Sequence, residues 1–291
     1  MKEIAVINDL SGFGKCSLTA SIPVLSVLGC CCHPVATAVL TGQSGYEHYF
    51  CQDLTDMLPE YQKQWGKNRV RLDAIYTGYM TTPAQFDTVS SFIRSFKGKN
   101  TFLLVDPVMG DHGKTYSIYS DRLLEKMRNL CRNADMITPN LTEACLLAGV
   151  DYRQFSSVSD TEELLTRAEE LAKQLKKSYA PSADVIITGI LPSQPVNSDV
   201  YMIAVSDEKV FAKQFPFYDK SYSGTGDLFA SIMCGLKMHQ IPLEESLELT
   251  GTFLSSCIRD TIREGTPGTD GILFEPHLPE LYRMADSASH K

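Results

Sequence analysis

The feature that most constrains this chain is a recurring unit: a short apolar run ends in polar or glycine residues, and a helical pattern follows. Lys2-Glu3-Ile4-Ala5-Val6-Ile7-Asn8-Asp9 predicts a buried strand running into Gly12 and Gly14. Residues 17–28 then predict a helix stopped by Gly29, and 33–40 a second strand. The unit returns at Ala74-Ile75-Tyr76-Thr77-Gly78 ahead of a helix over 83–96, at 101–106 ahead of a loop, and at 135–139 ahead of another helix. A strand over 184–189 follows a helix over 161–177. Such strands need cover on both faces, so the pattern predicts an α/β fold with a mostly parallel sheet flanked by helices on both sides. Residues 199–217 break the rule: 200–205 and 210–217, joined by a turn over 206–209, predict a late antiparallel hairpin. Two long amphipathic helices are expected over 226–239 and 246–264. No repeat or Gly/Pro linker interrupts the chain, so one domain over 1–291 is expected.

Charge and cysteine usage remove several function classes. The 27 Lys plus Arg against 35 Asp plus Glu give a net charge of -8, the wrong balance for affinity to a phosphate backbone, and no nucleic-acid partner is expected. The most basic stretch, 63–71, reads as a solvated loop. The longest apolar run, 22–32, is broken by Pro23, Ser26 and Gly29 and falls short of the ~20 residues of a membrane span. Residues 4–7 are too few for a signal-peptide core, so no membrane association and a cytoplasmic location are expected. The 9 cysteines, including consecutive Cys30, Cys31 and Cys32, contain no C-x-x-C pair and read as reduced, mostly buried thiols. The 6 histidines show no metal-binding spacing, and Gly42-Gln43-Ser44-Gly45 is not a nucleophile elbow.

Gly12-Phe13-Gly14-Lys15 is neither a Walker loop, since Cys16 follows the lysine, nor a dinucleotide fingerprint, since Ser17 replaces its third glycine. It remains a glycine loop at the carboxyl end of a strand, where open α/β sheets bind ligands. Ser223-Gly224-Thr225-Gly226-Asp227 opens a helix. Two glycines permit close backbone approach, and the first-turn amides with the helix dipole favour an anion such as a terminal phosphate. Asp227 sits beside that anion, although a first-turn acid is also explained by the dipole alone. Asp106-Pro107-Val108-Met109-Gly110-Asp111 and Thr138-Pro139-Asn140-Leu141-Thr142-Glu143 each follow a strand. Asn140 and Glu143 have capping-box spacing. Because both segments leave a parallel sheet at one edge, Asp106, Asp111 and Glu143 are candidates to gather around a hydrated Mg2+.

Taken together, Gly224-Thr225-Gly226-Asp227, Asp106-Pro107-Val108 and Thr138-Pro139-Asn140 with Glu143 resemble the ribokinase superfamily of small-molecule kinases. The finer set resembles its pyridoxal (pyridoxine, pyridoxamine) kinase branch. It comprises the Ser11 loop, Thr41-Gly42-Gln43-Ser44-Gly45-Tyr46, Tyr76-Thr77-Gly78-Tyr79, Asp106 to Asp111, Ile137-Thr138-Pro139-Asn140 and Gly224 to Phe229, in family order along nearly the whole chain. The resemblance implies a ribokinase-like fold and transfer of the ATP γ-phosphoryl group to the hydroxymethyl oxygen of a B6 vitamer. It implies Asp227 as catalytic base with Gly224, Thr225 and Gly226 as the anion hole. Ser11, Ser44 and Tyr79 fall at the pyridine ring. Asp106, Thr138, Asn140, Thr188, Gly189 and Ser223, with Gly224 and Gly226, fall on the ATP side, and Asp111 and Glu143 at Mg2+. A monovalent cation, K+ or Na+, and a homodimer are implied as well. The alternatives are a hydroxymethylpyrimidine kinase of thiamine synthesis and a non-catalytic B6-binding protein; an oxidoreductase is disfavoured by the failed fingerprint.

Overall fold

The computed structural model describes residues 1–193, 199–207 and 209–289; Glu208 of the expected turn and His290 lie outside them. Residues 1–102 with 218–291 form one compact unit and residues 103–217 a second. The chain begins with β1 (Lys2–Ser11), α1 (Ser17–Val27), β2 (Cys30–Leu40), β3 (Cys51–Asp53), α2 (Leu58–Lys67), β4 (Ala74–Thr77) and α3 (Pro83–Phe96). Strand order in this unit is β4-β1-β2-β3, with β1 parallel to both β4 and β2 and β3 antiparallel at the edge. Ile4, Ala5, Val6 and Ile7 are all buried, which is why the sequence shows an unbroken apolar run rather than alternation.

The second unit holds β5 (Phe102–Val105), the small pair β6 (Gly110–Asp111) and β7 (Lys114–Thr115), α4 (Asp121–Cys131), β8 (Met136–Ile137), α5 (Leu141–Ala148), α6 (Arg153–Ser156), α7 (Thr161–Tyr179), β9 (Asp184–Ile190), β10 (Asp199–Ser206) and β11 (Lys209–Pro216). Its strand order is β5-β8-β9-β10-β11. The first three are parallel and the last two form the expected antiparallel hairpin, Val200 facing Phe215 and Val205 facing Val210. Helix α7 is fixed at both ends: Asp160 caps it through the Glu163 amide, and Lys176 and Lys177 lie in the last turn, where the dipole favours cations. The chain then returns to the first unit with α8 (Thr225–Met238), α9 (Leu243–Arg263) and α10 (Leu278–Ser289).

One expectation is corrected. The stretch 63–71 is not simply a solvated loop, because α2 runs to Lys67 and turns Trp65 onto an aromatic cluster, with Phe92 at 5.6 Å, Tyr61 at 5.8 Å and Phe96 at 6.1 Å between ring centroids. Its helix-forming context comes from α3, distant in sequence, so local polarity misleads.

Candidate active site

The first cluster is built where β1 ends. Pairing of β1 with β2 slips between Asn8 and Leu10, since Asn8 faces Ala36 while Leu10 faces Val39. Such an irregularity re-aims the side chains around it. Asp9, buried at this point, accepts hydrogen bonds from Ser17 Oγ on Oδ1 at 2.6 Å and from Ser11 Oγ on Oδ2 at 2.9 Å. Burial pushes its carboxyl above the ordinary range, and the two serine hydroxyls oppose that shift. Asn8, also buried, donates from Nδ2 to Asp227 Oδ1 at 2.9 Å, while its Oδ1 accepts from the Tyr79 amide at 2.8 Å and the Asp9 amide at 3.0 Å.

Asp227 stands in the first turn of α8. Burial pushes its carboxyl up to about 6, and the Asp9 charge adds to the rise; the Ser17 backbone amide, the Asn8 amide and the Tyr76 hydroxyl hold it down. The Cys16 thiol beside it is pushed up to about 12 by burial, then by Asp227 and Asp9, so it is protonated at neutral pH and no nucleophile.

The helix start is built from the glycine loop. Gly224 adopts φ +82°, with Lys15 O only 1.9 Å from where a Cβ would stand, so the loop lies directly on the backbone of the first glycine loop. Thr225 Oγ1 donates to Tyr222 O at 2.8 Å and the Ser223 amide to Gly268 O at 3.0 Å, which fix the turn, while Gly226 is exposed. The first-turn amides have no acceptor within the helix and are available to an anion.

Of the residues expected at the ring, Ser11 is buried and committed to Asp9, Tyr79 is partly buried, and Ser44 is exposed. Burial, then the charge of Asp9, drives the Tyr79 hydroxyl up to about 12, so it stays neutral. Beside Ser44, the buried Gln43 reaches Thr269 O at 3.0 Å and accepts from the Gly45 amide at 2.7 Å, and Tyr46 donates to Asp270 at 2.6 Å. These bonds pin residues 43–46 to the segment 269–270.

The second unit carries its own polar cluster. Asn140 caps α5 through the Glu143 amide at 2.9 Å, and Glu143 Oε2 returns to the Asn140 amide at 2.9 Å, which completes the expected capping box. Glu143 Oε1 accepts from the Met109 amide at 3.0 Å, and Asn140 Nδ2 donates to Gly110 O at 2.9 Å, so the two motifs are joined. Thr138 donates to Asp106 at 3.1 Å, and the Thr188 amide to Pro139 O at 3.0 Å; Gly189 is exposed at φ +67°. Burial holds Glu143 well above the carboxylate range, and Asp106, then Asp111, push the same way against the two backbone donors. Asp111 is partly exposed and turned to His112. Among the described residues no three His, Cys, Asp or Glu side chains stand close enough to hold a metal directly. Asp106 and Asp111 act on Glu143 through their charge, and two backbone amides orient its carboxylate.

Sequence reasoning passed over Asn8, Asp9, Ser17 and Gln43. The available signal was two polar residues directly after the apolar run Ile4 to Ile7, inside the same strand.

The phosphomethylpyrimidine kinase family model matches residues 14–269. A provisionally named pyridoxal kinase of Saccharomyces cerevisiae is 24% identical over 214 residues, 68% of this chain, which spans only 62% of that protein's length. The pyridoxal kinase of Ovis aries is 29% identical over 283 residues, covering 90% of this chain and 86% of the relative. A provisionally named phosphomethylpyrimidine kinase of Bacteroides thetaiotaomicron, crystallised with pyridoxal, superposes with a TM-score of 0.88 at 34% identity, covering 96% of this chain and 95% of that one.

Proposed function

Because the chain belongs to the phosphomethylpyrimidine kinase family of ribokinase-like small-molecule kinases, we propose that it transfers the γ-phosphoryl group of ATP to the hydroxymethyl oxygen of pyridoxal, pyridoxine or pyridoxamine. We take residues 1–291 as one kinase domain, with 103–217 inserted between the two halves of the first unit. The observation that carries the reading is Asp227: a carboxylate at the first turn of α8, held by the Asn8 amide and raised to about 6. A base with that acid constant is ionised at neutral pH and still a better proton acceptor than an ordinary aspartate.

In this mechanism Asp227 receives the hydroxymethyl proton as the oxygen–phosphorus bond forms and the bond to the leaving ADP oxygen breaks. The amides at the start of α8, set by Gly224, Thr225 and Gly226, stabilise charge on the transferred group, where preorganised donors contribute most. Ser223 supports the turn that presents them. Ser11, Ser44 and Tyr79 are assigned to the pyridine ring, with Tyr79 neutral and able to cover it. Asp106, Thr138, Asn140, Thr188 and Gly189 are assigned to the nucleotide, and Asp106, Thr138 and Thr188 also to a monovalent cation.

The donor set of the second unit fits a hydrated Mg2+. It is all oxygen, and burial together with the charges of Asp106 and Asp111 disfavours the ionised form of Glu143, a pull that a divalent cation would oppose. Asp111 and Glu143 would hold the ion through water, and when bound it neutralises charge on the phosphates. We also propose a cytoplasmic homodimer. Cys16, Cys30, Cys131, Cys145, Cys234 and Cys257 are buried free thiols, as a reducing compartment permits; among the described residues no helix is long and apolar enough to cross a membrane.

The family model's description, phosphomethylpyrimidine kinase, keeps a pyrimidine acceptor as the second reading, with hydroxymethylpyrimidine as its probe. The test is ADP release with ATP and Mg2+ on pyridoxal, pyridoxine, pyridoxamine, hydroxymethylpyrimidine and ribose, beside Asp227→Asn. Turnover of B6 vitamers that vanishes in the variant supports the reading. Turnover of the pyrimidine alone moves the chain to that activity, and binding of a vitamer without turnover sinks the kinase reading.

A further inference from the structure

We infer that Asn8 is the positioning residue of Asp227, holding the Oδ1 of its carboxylate in place and tying it to the backbone of Tyr79. The consequence for turnover rests on the kinase reading above; the contact itself does not.

The side chain of Asn8 is buried and engaged on both sides of its amide. Two backbone donors, the amides of Tyr79 at 2.8 Å and Asp9 at 3.0 Å, converge on one terminal atom, which identifies it as the oxygen. The other terminal atom is then the nitrogen, and it points at Asp227 Oδ1 at 2.9 Å. The orientation of this amide is thus set by backbone geometry rather than by Asp227, and it can act as a fixed donor. Gly78 makes room for it, since a Cβ there would stand 2.5 Å from Nδ2. No other side chain on β1 joins the end of β4 to the first turn of α8 in this way among the described residues.

The groups facing Asp227 come from each neighbouring element: Asp9 from β1, Tyr76 from β4, and Cys16 and the Ser17 amide from the start of α1. Asn8 and Ser17 bring neutral N–H donors to a carboxylate that also feels the Asp9 charge. A donor whose position is fixed beforehand favours one carboxylate orientation at Asp227. Losing it leaves Asp227 able to rotate and less willing to ionise.

Asn8→Asp and Asn8→Ala separate the two ends of the amide. Asn8→Asp keeps an acceptor for Tyr79 and Asp9 but replaces the donor to Asp227 with a second carboxyl, whose charge also raises Asp227; Asn8→Ala removes both ends without adding charge and decides whether the lost hydrogen bond alone moves Asp227. Expected for Asn8→Asp is a fall in kcat of about tenfold or more with the KM for ATP within about twofold. The acid limb of kcat/KM moves to higher pH, and so does the midpoint of the Asp227 carboxyl carbon in an NMR titration of the free protein. Asn8→Ala is expected to move both in the same direction, which covers the case in which Asn8→Asp fails to fold. Unchanged kcat and an unchanged Asp227 midpoint in either folded variant overturn the proposal, as does a loss confined to the vitamer KM. Asp227→Asn, run alongside, assigns the carbon signal and keeps the two readings apart. If it retains turnover the kinase base is wrong, while the Asp227 midpoint in the Asn8 variants still decides the contact.

Discussion

Gly224 lies so close to Lys15 that a Cβ on it would sit 1.9 Å from the Lys15 carbonyl oxygen, and its φ of +82° is one that side-chain-bearing residues avoid. Both constraints act at once, and backbone cannot yield as a flexible side chain would. Gly224→Ala is therefore expected to cost at least about 3 kcal/mol in denaturant unfolding and to lower turnover by shifting the start of α8. Gly189→Ala is the contrast: its φ is +67° but no atom lies within 4 Å of the added carbon, so only the conformational cost of about 1 kcal/mol is expected.

Asp227→Asn is expected to trade activity for stability. Turnover should fall by about 10²- to 10⁴-fold, the usual worth of a general base, with ATP binding retained. The carboxyl rises from an ordinary 3.8 to about 6 in the folded chain. The folded state thus binds this proton more tightly than the unfolded state, and the stability so gained is present below the unfolded value and lost as pH rises through the folded one. Keeping Asp227 ionised at pH 8 accordingly costs up to about 3 kcal/mol. The asparagine variant should unfold at higher denaturant than the parent at pH 8, with the gap closing toward pH 4. Equal midpoints at both pH values would contradict this.

The same acid constant sets the pH–rate profile. With Asp227 acting as base, kcat/KM should rise through a midpoint near about 6 in the free enzyme. Asp9 adds to that value through its charge, so Asp9→Asn, which removes the charge and keeps an acceptor for one of the two serine hydroxyls, should move the acid limb to lower pH. No shift in this variant would show that Asp9 is uncharged where Asp227 titrates, and an upward shift would overturn the role given to its charge.

Much of this arrangement is legible in the sequence because its signals are local. The buried run Ile4 to Ile7, the glycines flanking Thr225, and the Asn140–Glu143 spacing announce a strand, a helix start and a capping box in turn, each within a few residues. The central cluster is not legible for the opposite reason. Asn8, Asp9 and Ser17 acquire their partners from a slip in strand register and from Asp227 in a distant helix, neither of which leaves a periodic trace. Trp65 misleads in the same way, since its neighbours Phe92 and Phe96 belong to another helix. Ser44 is assigned to the ring only by the family resemblance, whereas the bonds that fix its loop come from Gln43 and Tyr46.

Glu143 serves a structural and a proposed metal role, and Glu143→Gln separates them. Its oxygens accept from the Asn140 amide at 2.9 Å and the Met109 amide at 3.0 Å. A glutamine offers one acceptor oxygen in place of two, so one of those amides is left unpaired and a loss of about 1–3 kcal/mol is expected from unfolding curves. If the carboxylate also stands at a hydrated Mg2+, binding the ion requires its ionised form, which burial and the Asp106 charge disfavour. In the parent, the Mg2+ concentration giving half-maximal turnover should therefore fall as pH rises from 6 to 8. In Glu143→Gln it should be higher at both and less dependent on pH. A variant that is destabilised yet keeps the parental Mg2+ dependence would leave Glu143 with the helix cap alone and shift the metal assignment to Asp111 and Asp106.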